Sequence, residues 1–202
     1  MDFFSIFTAL IPLSFYLIFL GVINLSRKTR VLTGRQDLIA LSVGVAGLMI
    51  VGPLQIFLPA AGMIRFGNHV WYPMIVLYLF GVLWLSMISR PRLVFYNLNY
   101  DEFLHILESA MEREIWTAQR HGNVVQISEL KVQFEIMPVE AMKNITLRAT
   151  CAEQSSAGWS VLQKTIREEL LSHCTVPNAS GWIYLACGIV VAAVGWTSIS
   201  LT

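Results

Sequence analysis

Charged side chains are scarce in this sequence. It holds 14 Lys and Arg and 13 Asp and Glu among 202 residues, a 13% share, where soluble domains carry about 25%. What charge there is nearly cancels, to a net +1, and no basic stripe is present. That excludes the electrostatic footprint of a nucleic-acid partner. Cysteine is scarce too: Cys151, Cys174 and Cys187 are odd in number and form no C-x-x-C pair, so neither a disulfide framework nor a zinc site is signalled. Also missing are a P-loop, a G-x-G-x-x-G turn, an H-E-x-x-H helix and a Ser/His/Asp order. No cofactor is expected.

Apolar residues are abundant instead, at 55% of the chain, and most of the charge falls between Arg90 and Glu169. The chain is therefore two materials, one suited to lipid and one to water. Four charge-free stretches, 3–25, 38–58, 70–89 and 181–201, reach the roughly 20 residues that a helix needs to cross a hydrocarbon core of about 30 Å. Lipid leaves backbone N–H and C=O groups unsatisfied, so each stretch should be an α-helix. The expected fold is an all-α transmembrane part of four helices plus a small cytoplasmic α+β domain. Residues 1–89 carry three helices, 90–178 the domain, and 179–202 the fourth helix. The first stretch opens Met1-Asp2 without a basic n-region, so it reads as a retained helix rather than a signal peptide.

Orientation follows from the basic residues. Arg27, Lys28, Arg30 and Arg35 lie in the first loop, Arg90 and Arg92 follow the third helix, and the second loop offers only Arg65. The positive-inside rule then puts both termini outside and the 90–178 domain in the cytoplasm. A compact chain without an organellar address points to a bacterial inner membrane. No ionisable side chain lies inside the four stretches, which removes the groups that a proton relay or ion path needs. Asn24 and Gln55 are the strongest polar candidates, and both sit near helix ends. Pro53 is the kink candidate. Ala40, Gly44 and Gly47 on the second helix, and Gly188 and Ala192 on the fourth, permit close helix approach. Packing within the chain is the plainer reading of them, and a homo-oligomer the sharper one.

The domain shows amphipathic periods. Leu93 to Tyr96 is β-like, Asn99 can cap a helix over 100–115, and Leu130 to Met137 alternates apolar and polar side chains, as does Asn144 to Thr150. A second helix spans Trp159 to Ser172. The order β-α-β-β-β-α predicts an antiparallel sheet with both helices on one face. Asp101, His105, Glu108 and Glu112 share one face of the first soluble helix at a spacing that can bind a metal. That face lies opposite the apolar stripe, where a solvated charge row belongs, so no metal is expected.

His121-Gly122-Asn123 is a hairpin turn signal, and His173 with Cys174 ends the last soluble helix. Asn144-Ile-Thr and Asn178-Ala-Ser match the glycosylation pattern on the cytoplasmic side, as chance would give. Lys131, Gln133, Glu135, Thr146 and Arg148 offer a mixed polar surface to a protein partner. The expectation is a polytopic membrane protein whose domain is a non-enzymatic interaction or assembly module. The alternatives are a small-solute transporter or transport accessory subunit, and a membrane-bound enzyme.

Overall fold

The computed structural model describes residues 3–54, 64–65, 67–151, 153–171 and 177–200. Six α-helices and six strands follow one another there: α1 (Phe3–Leu25), β1 (Arg30–Thr33), α2 (Gly34–Met49), α3 (Trp71–Ile88), β2 (Arg92–Tyr96), α4 (Tyr100–Glu114), β3 (Ala118–His121), β4 (Val124–Ile127), β5 (Val132–Val139), β6 (Asn144–Ala149), α5 (Ser156–Leu171) and α6 (Ser180–Ser200). They divide into a helical unit of residues 1–22, 38–88 and 182–202, and a sheet unit of residues 23–37 and 89–181.

In the helical unit, the stretches Gly34–Pro53 and Ser180–Thr197 are long and apolar enough to cross a membrane; the apolar stretches Ala9–Leu25 and Tyr72–Ile88 are shorter. Its large apolar side chains, among them Phe15, Val43, Phe80, Trp84 and Trp196, are exposed, while buried positions go to Ala9, Ser14 and Ser86. Small residues let the helices touch. A Cβ on Gly44 would stand 2.7 Å from Tyr16 Cβ, and one on Gly188 would stand 2.8 Å from Ile18 Cγ1 and 3.1 Å from the Ser14 carbonyl oxygen. Both glycines are thus used inside the chain, seating α2 and α6 on α1. Ala40 and Ala192 are half-buried and Gly47 is buried. Replacing Gly44 with alanine should cost about 1–2 kcal/mol through overpacking, read as earlier thermal unfolding in detergent; an unchanged transition would contradict this packing.

At Ile50–Leu54 the second helix passes into a π-helical turn that contains Pro53. Proline has no N–H to donate and its ring collides with the preceding turn, and a π-bulge is one way for a helix to absorb both. Gln55 and the rest of the predicted span to 58 lie outside the described residues.

The sheet unit departs from the expected strand count. The sheet is antiparallel with order β1-β2-β6-β5-β4-β3, so the order between α3 and α6 is β-α-β-β-β-β-α, and a sixth strand enters from the first loop. Arg30 pairs with Tyr96 and Thr33 with Leu93. The predicted loop of orientation-setting basic residues is therefore also a strand of the sheet. Four residues are too short a run to show a two-residue period.

The helix α2 starts at Gly34 rather than Leu38, because Thr33 and Gln36 form a reciprocal cap: the Gln36 N–H donates to Thr33 Oγ1 (3.3 Å) and the Thr33 N–H to Gln36 Oε1 (3.1 Å). That is the Thr-x-x-Gln capping box. The long alternating strands lie close to where the pattern put them, at 132–139 and 144–149, and α4 begins one residue after Asn99.

One face of the sheet carries the core. Phe95, Phe134, Ile136, Ile145 and Leu147 meet Phe103, Ile106 and Leu107 of α4 and Trp159, Leu162 and Ile166 of α5, all nearly inaccessible to solvent. Three buried asparagines close the unit where the chain enters and leaves it. Asn97 Nδ2 donates to the Ser26 carbonyl (2.7 Å), the Asn178 N–H donates to the Asn24 carbonyl (2.9 Å), and Asn178 Nδ2 donates to the Met142 carbonyl (2.9 Å). Asn97 has φ of 60°, a conformation that asparagine tolerates better than most residues. Buried amides are nearly always hydrogen-bonded, and these contacts tie residues 24–26, 97, 142 and 178 together within the sheet unit.

Candidate functional site

Two ends of the sheet carry unusual features. The first is the β1-β2-β6 end. Pairing places Arg92 directly opposite Arg148, a like-charge neighbour that is unfavourable by itself. Arg92 is held by Asp37, which the capping box sets in the first turn of α2: Arg92 Nη2 donates to Asp37 Oδ2 at 3.1 Å and to the Gly34 carbonyl at 3.4 Å. Tyr96 Oη donates to the other carboxylate oxygen of Asp37. Gly34 is required here, because a Cβ would fall 2.0 Å from Arg92 Cγ. The Arg92 Nε is shielded from solvent and has no hydrogen bond among the described residues.

The segment Ser89 to Arg92 separates two grooves. One, of about 660 Å³, lies on the open face of the sheet and is lined by Arg90, Arg92, Arg148, Thr146, Met137 and Val139 as well as Ser89. The other, of about 430 Å³, adds Arg35 and the hydroxyls of Thr33, Ser156 and Ser160 to Ser89, Arg90 and Arg92. Among the described residues, no acidic residue lines either groove. Of the residues expected to orient the chain, the structure gathers Arg35, Arg90 and Arg92 here and brings Arg148 to them. Arg27, Lys28 and Arg30 are exposed and line neither groove. The sequence reading missed this grouping, since only the sheet order brings 90–92 beside 148.

The opposite end is the edge strand β3. Helix α4 stops at Ile115, which adopts a left-handed φ of 56° and is 87% exposed. For a β-branched residue that conformation is an outlier costing about 1–2 kcal/mol. A groove of about 480 Å³ runs beside it, lined by Met111, Ile115, Trp116, Ala118, Glu108 and Glu112, with Thr117. The start of β3 is pinned by Glu129, whose Oε1 accepts the Thr117 N–H at 2.9 Å. Hydrogen bonding to the Thr117 side chain first, and then to the backbone of Glu129 and Thr117, holds the Glu129 carboxyl below the usual glutamate range. Beyond β3 no further strand pairs among the described residues.

The helix face Asp101, His105, Glu108 and Glu112 is exposed throughout, and among the described residues no group of three or more His, Cys, Asp or Glu is placed to hold a metal ion. His121 is exposed in β3, and Gly122 with φ of 64° makes the β3–β4 turn. Gln133, Glu135, Thr146 and Arg148 share the face opposite the helices, while Lys131 sits in the turn before β5. Asn178 is buried, with its side-chain oxygen accepting the Ser180 N–H at 3.1 Å. Cys151 and Cys187 are exposed; His173 and Cys174 lie outside the described residues.

A comparison with protein-family models finds no match, and no curated protein and no solved structure matches the chain.

Proposed function

We propose that this chain crosses the bilayer four times, with both termini outside, and holds its sheet unit in the cytoplasm as a non-enzymatic interaction module for a protein partner. The spanning reading is supported by the inverted burial of the helical unit. Only 11% and 17% of the two longest apolar windows is buried, whereas the core helix of a soluble protein is mostly buried. Helices α1 and α3 run 23 and 18 residues, within the range of about 17–25 that spans a bilayer. A bacterial inner membrane remains the proposed location.

The observation that carries the docking role is Ile115. It combines a strained backbone with an apolar side chain held out in water, beside an unpaired sheet edge. Strain of this kind persists where it serves a site, and free edges are positions where a partner can add a strand. The glutamates beside the groove suit a partner segment that is apolar and basic.

Cross-linking from native membranes tests this, comparing the natural chain with Ile115→Asn. Asparagine accepts the left-handed conformation, so stability should hold or rise by up to about 1 kcal/mol while a defined partner disappears from the captured material. Capture of nothing but the chain itself, or of the same partner by both forms, would sink the proposal. A second reading, small-solute transport or a transport accessory role, draws on the π-helical turn at Pro53. Solute flux into liposomes that depends on Pro53 would favour it.

A further inference from the structure

We infer that the two arginine-lined grooves at the β1-β2-β6 end of the sheet bind the phosphate headgroups of anionic phospholipids, in the leaflet where α3 ends. The inference rests on the spanning reading above and is independent of the docking role of Ile115.

Charge complementarity is its first support. Arg35, Arg90 and Arg148 make no ion pair among the described residues, and the single Arg90 contact, from Nη1 to the Thr150 carbonyl at 3.2 Å, leaves its charge uncompensated. Guanidinium groups donate in a planar fork that matches phosphate oxygens, and the Thr33 and Ser156 hydroxyls of the smaller groove add neutral donors. The larger groove also exposes Met137 and Val139, apolar side chains that suit the boundary between headgroup and acyl chain.

Chain continuity is the second support. Ser89 and Arg90 directly follow Ile88, the last residue of α3. A helix that spans the bilayer therefore delivers these two residues into the headgroup layer. Each arginine near an anionic leaflet contributes about 1 kcal/mol, so the uncompensated arginines should hold such lipids well above background.

The test uses the full chain with Cys151, Cys174 and Cys187 replaced by serine and a reporter, Met137→Cys, in the larger groove. It is reconstituted in nanodiscs of phosphatidylcholine alone or of phosphatidylcholine with phosphatidylglycerol, and labelled with an uncharged maleimide. Labelling should slow at least about tenfold when phosphatidylglycerol is present. A control reporter, Val161→Cys on α5 outside both grooves, should not change.

Arg90→Gln with Arg148→Gln should restore the faster rate, and Arg90→Lys with Arg148→Lys should keep much of the protection. Both positions are exposed, so folding is not at stake. Equal rates in the two lipids, or protection that survives the double glutamine variant, overturns the inference. So does equal slowing by inorganic phosphate in phosphatidylcholine discs, which would assign the grooves to a soluble anion. Failure of the chain to enter nanodiscs would instead overturn the spanning reading, and this inference with it.

Discussion

Phe134→Ala is expected to cost the sheet unit about 3–5 kcal/mol, the range for deleting a large aromatic side chain from a core. Phe134 is fully buried on β5, where it pairs with Val125 on one side and Ala149 on the other. Its ring centroid lies 6.0 Å from that of Trp159, and Trp159 is itself fixed by its indole N–H donating to Gln154 Oε1 at 2.8 Å. The side chain thus joins the middle of the sheet to α5, and its neighbours are too well anchored to collapse into the space it leaves. A small domain's whole stability is about 5–15 kcal/mol, so this one change removes a large part of it. Hydrogen exchange on the intact chain in detergent would read it. Amides of β4, β5 and β6 should lose about 2 to 3.5 orders of magnitude of protection, at about 1.4 kcal/mol per tenfold, while those of α1 and α6 keep theirs. A loss below about tenfold would mean that the core relaxes around the vacancy.

Phe134 was also the kind of residue that the sequence makes legible. Val132, Phe134 and Ile136 alternate with polar neighbours because one face of the strand is packed and the other wet, and the two-residue period records that difference directly. Ile145, Leu147 and Ala149 do the same, and Phe103 and Leu107 mark one side of α4 at helical spacing. The four-residue strand β1 is not legible in this way. Its pairing to β2 comes from residues 60 to 66 positions away, and its basic neighbours carried a different meaning for orientation. The Thr33 and Gln36 pair was a readable local signal for where α2 begins.

The candidate sites depend on properties that composition does not encode. The left-handed backbone of Ile115 is set by how α4 ends against β3, and a glycine or asparagine would have announced it where isoleucine did not. The arginines become one group only through the order in which the strands pair. Asn24, Asn97 and Asn178 are isolated in the sequence, and only the fold of the sheet unit brings their segments into hydrogen-bonding range.

Asp37→Ala is the second large effect expected, a loss of about 2–3 kcal/mol from the sheet unit. The carboxylate accepts from both Arg92 and Tyr96 and retains only 20% side-chain exposure, so its removal strands a partly buried guanidinium and a phenol at once. The figure stays below that of a fully buried pair because Arg92 keeps 36% of its side chain in water. Tyr96→Phe removes one of the two bonds and should cost about 0.5–1.5 kcal/mol, and a double-mutant cycle between Asp37 and Tyr96 should show them coupled.

The loss should concentrate in β1, which is tied to β2 by the ladder, by this carboxylate and by the weaker Arg92 bond to the Gly34 carbonyl. Hydrogen-exchange protection at Arg30 to Thr33 should fall first, and unchanged protection there would show that the ladder alone holds the strand. The same variant separates stability from lipid binding. Freed from Asp37, Arg92 becomes a further uncompensated cation beside the grooves, so protection of the Met137→Cys reporter by phosphatidylglycerol should strengthen even as the unit becomes less stable.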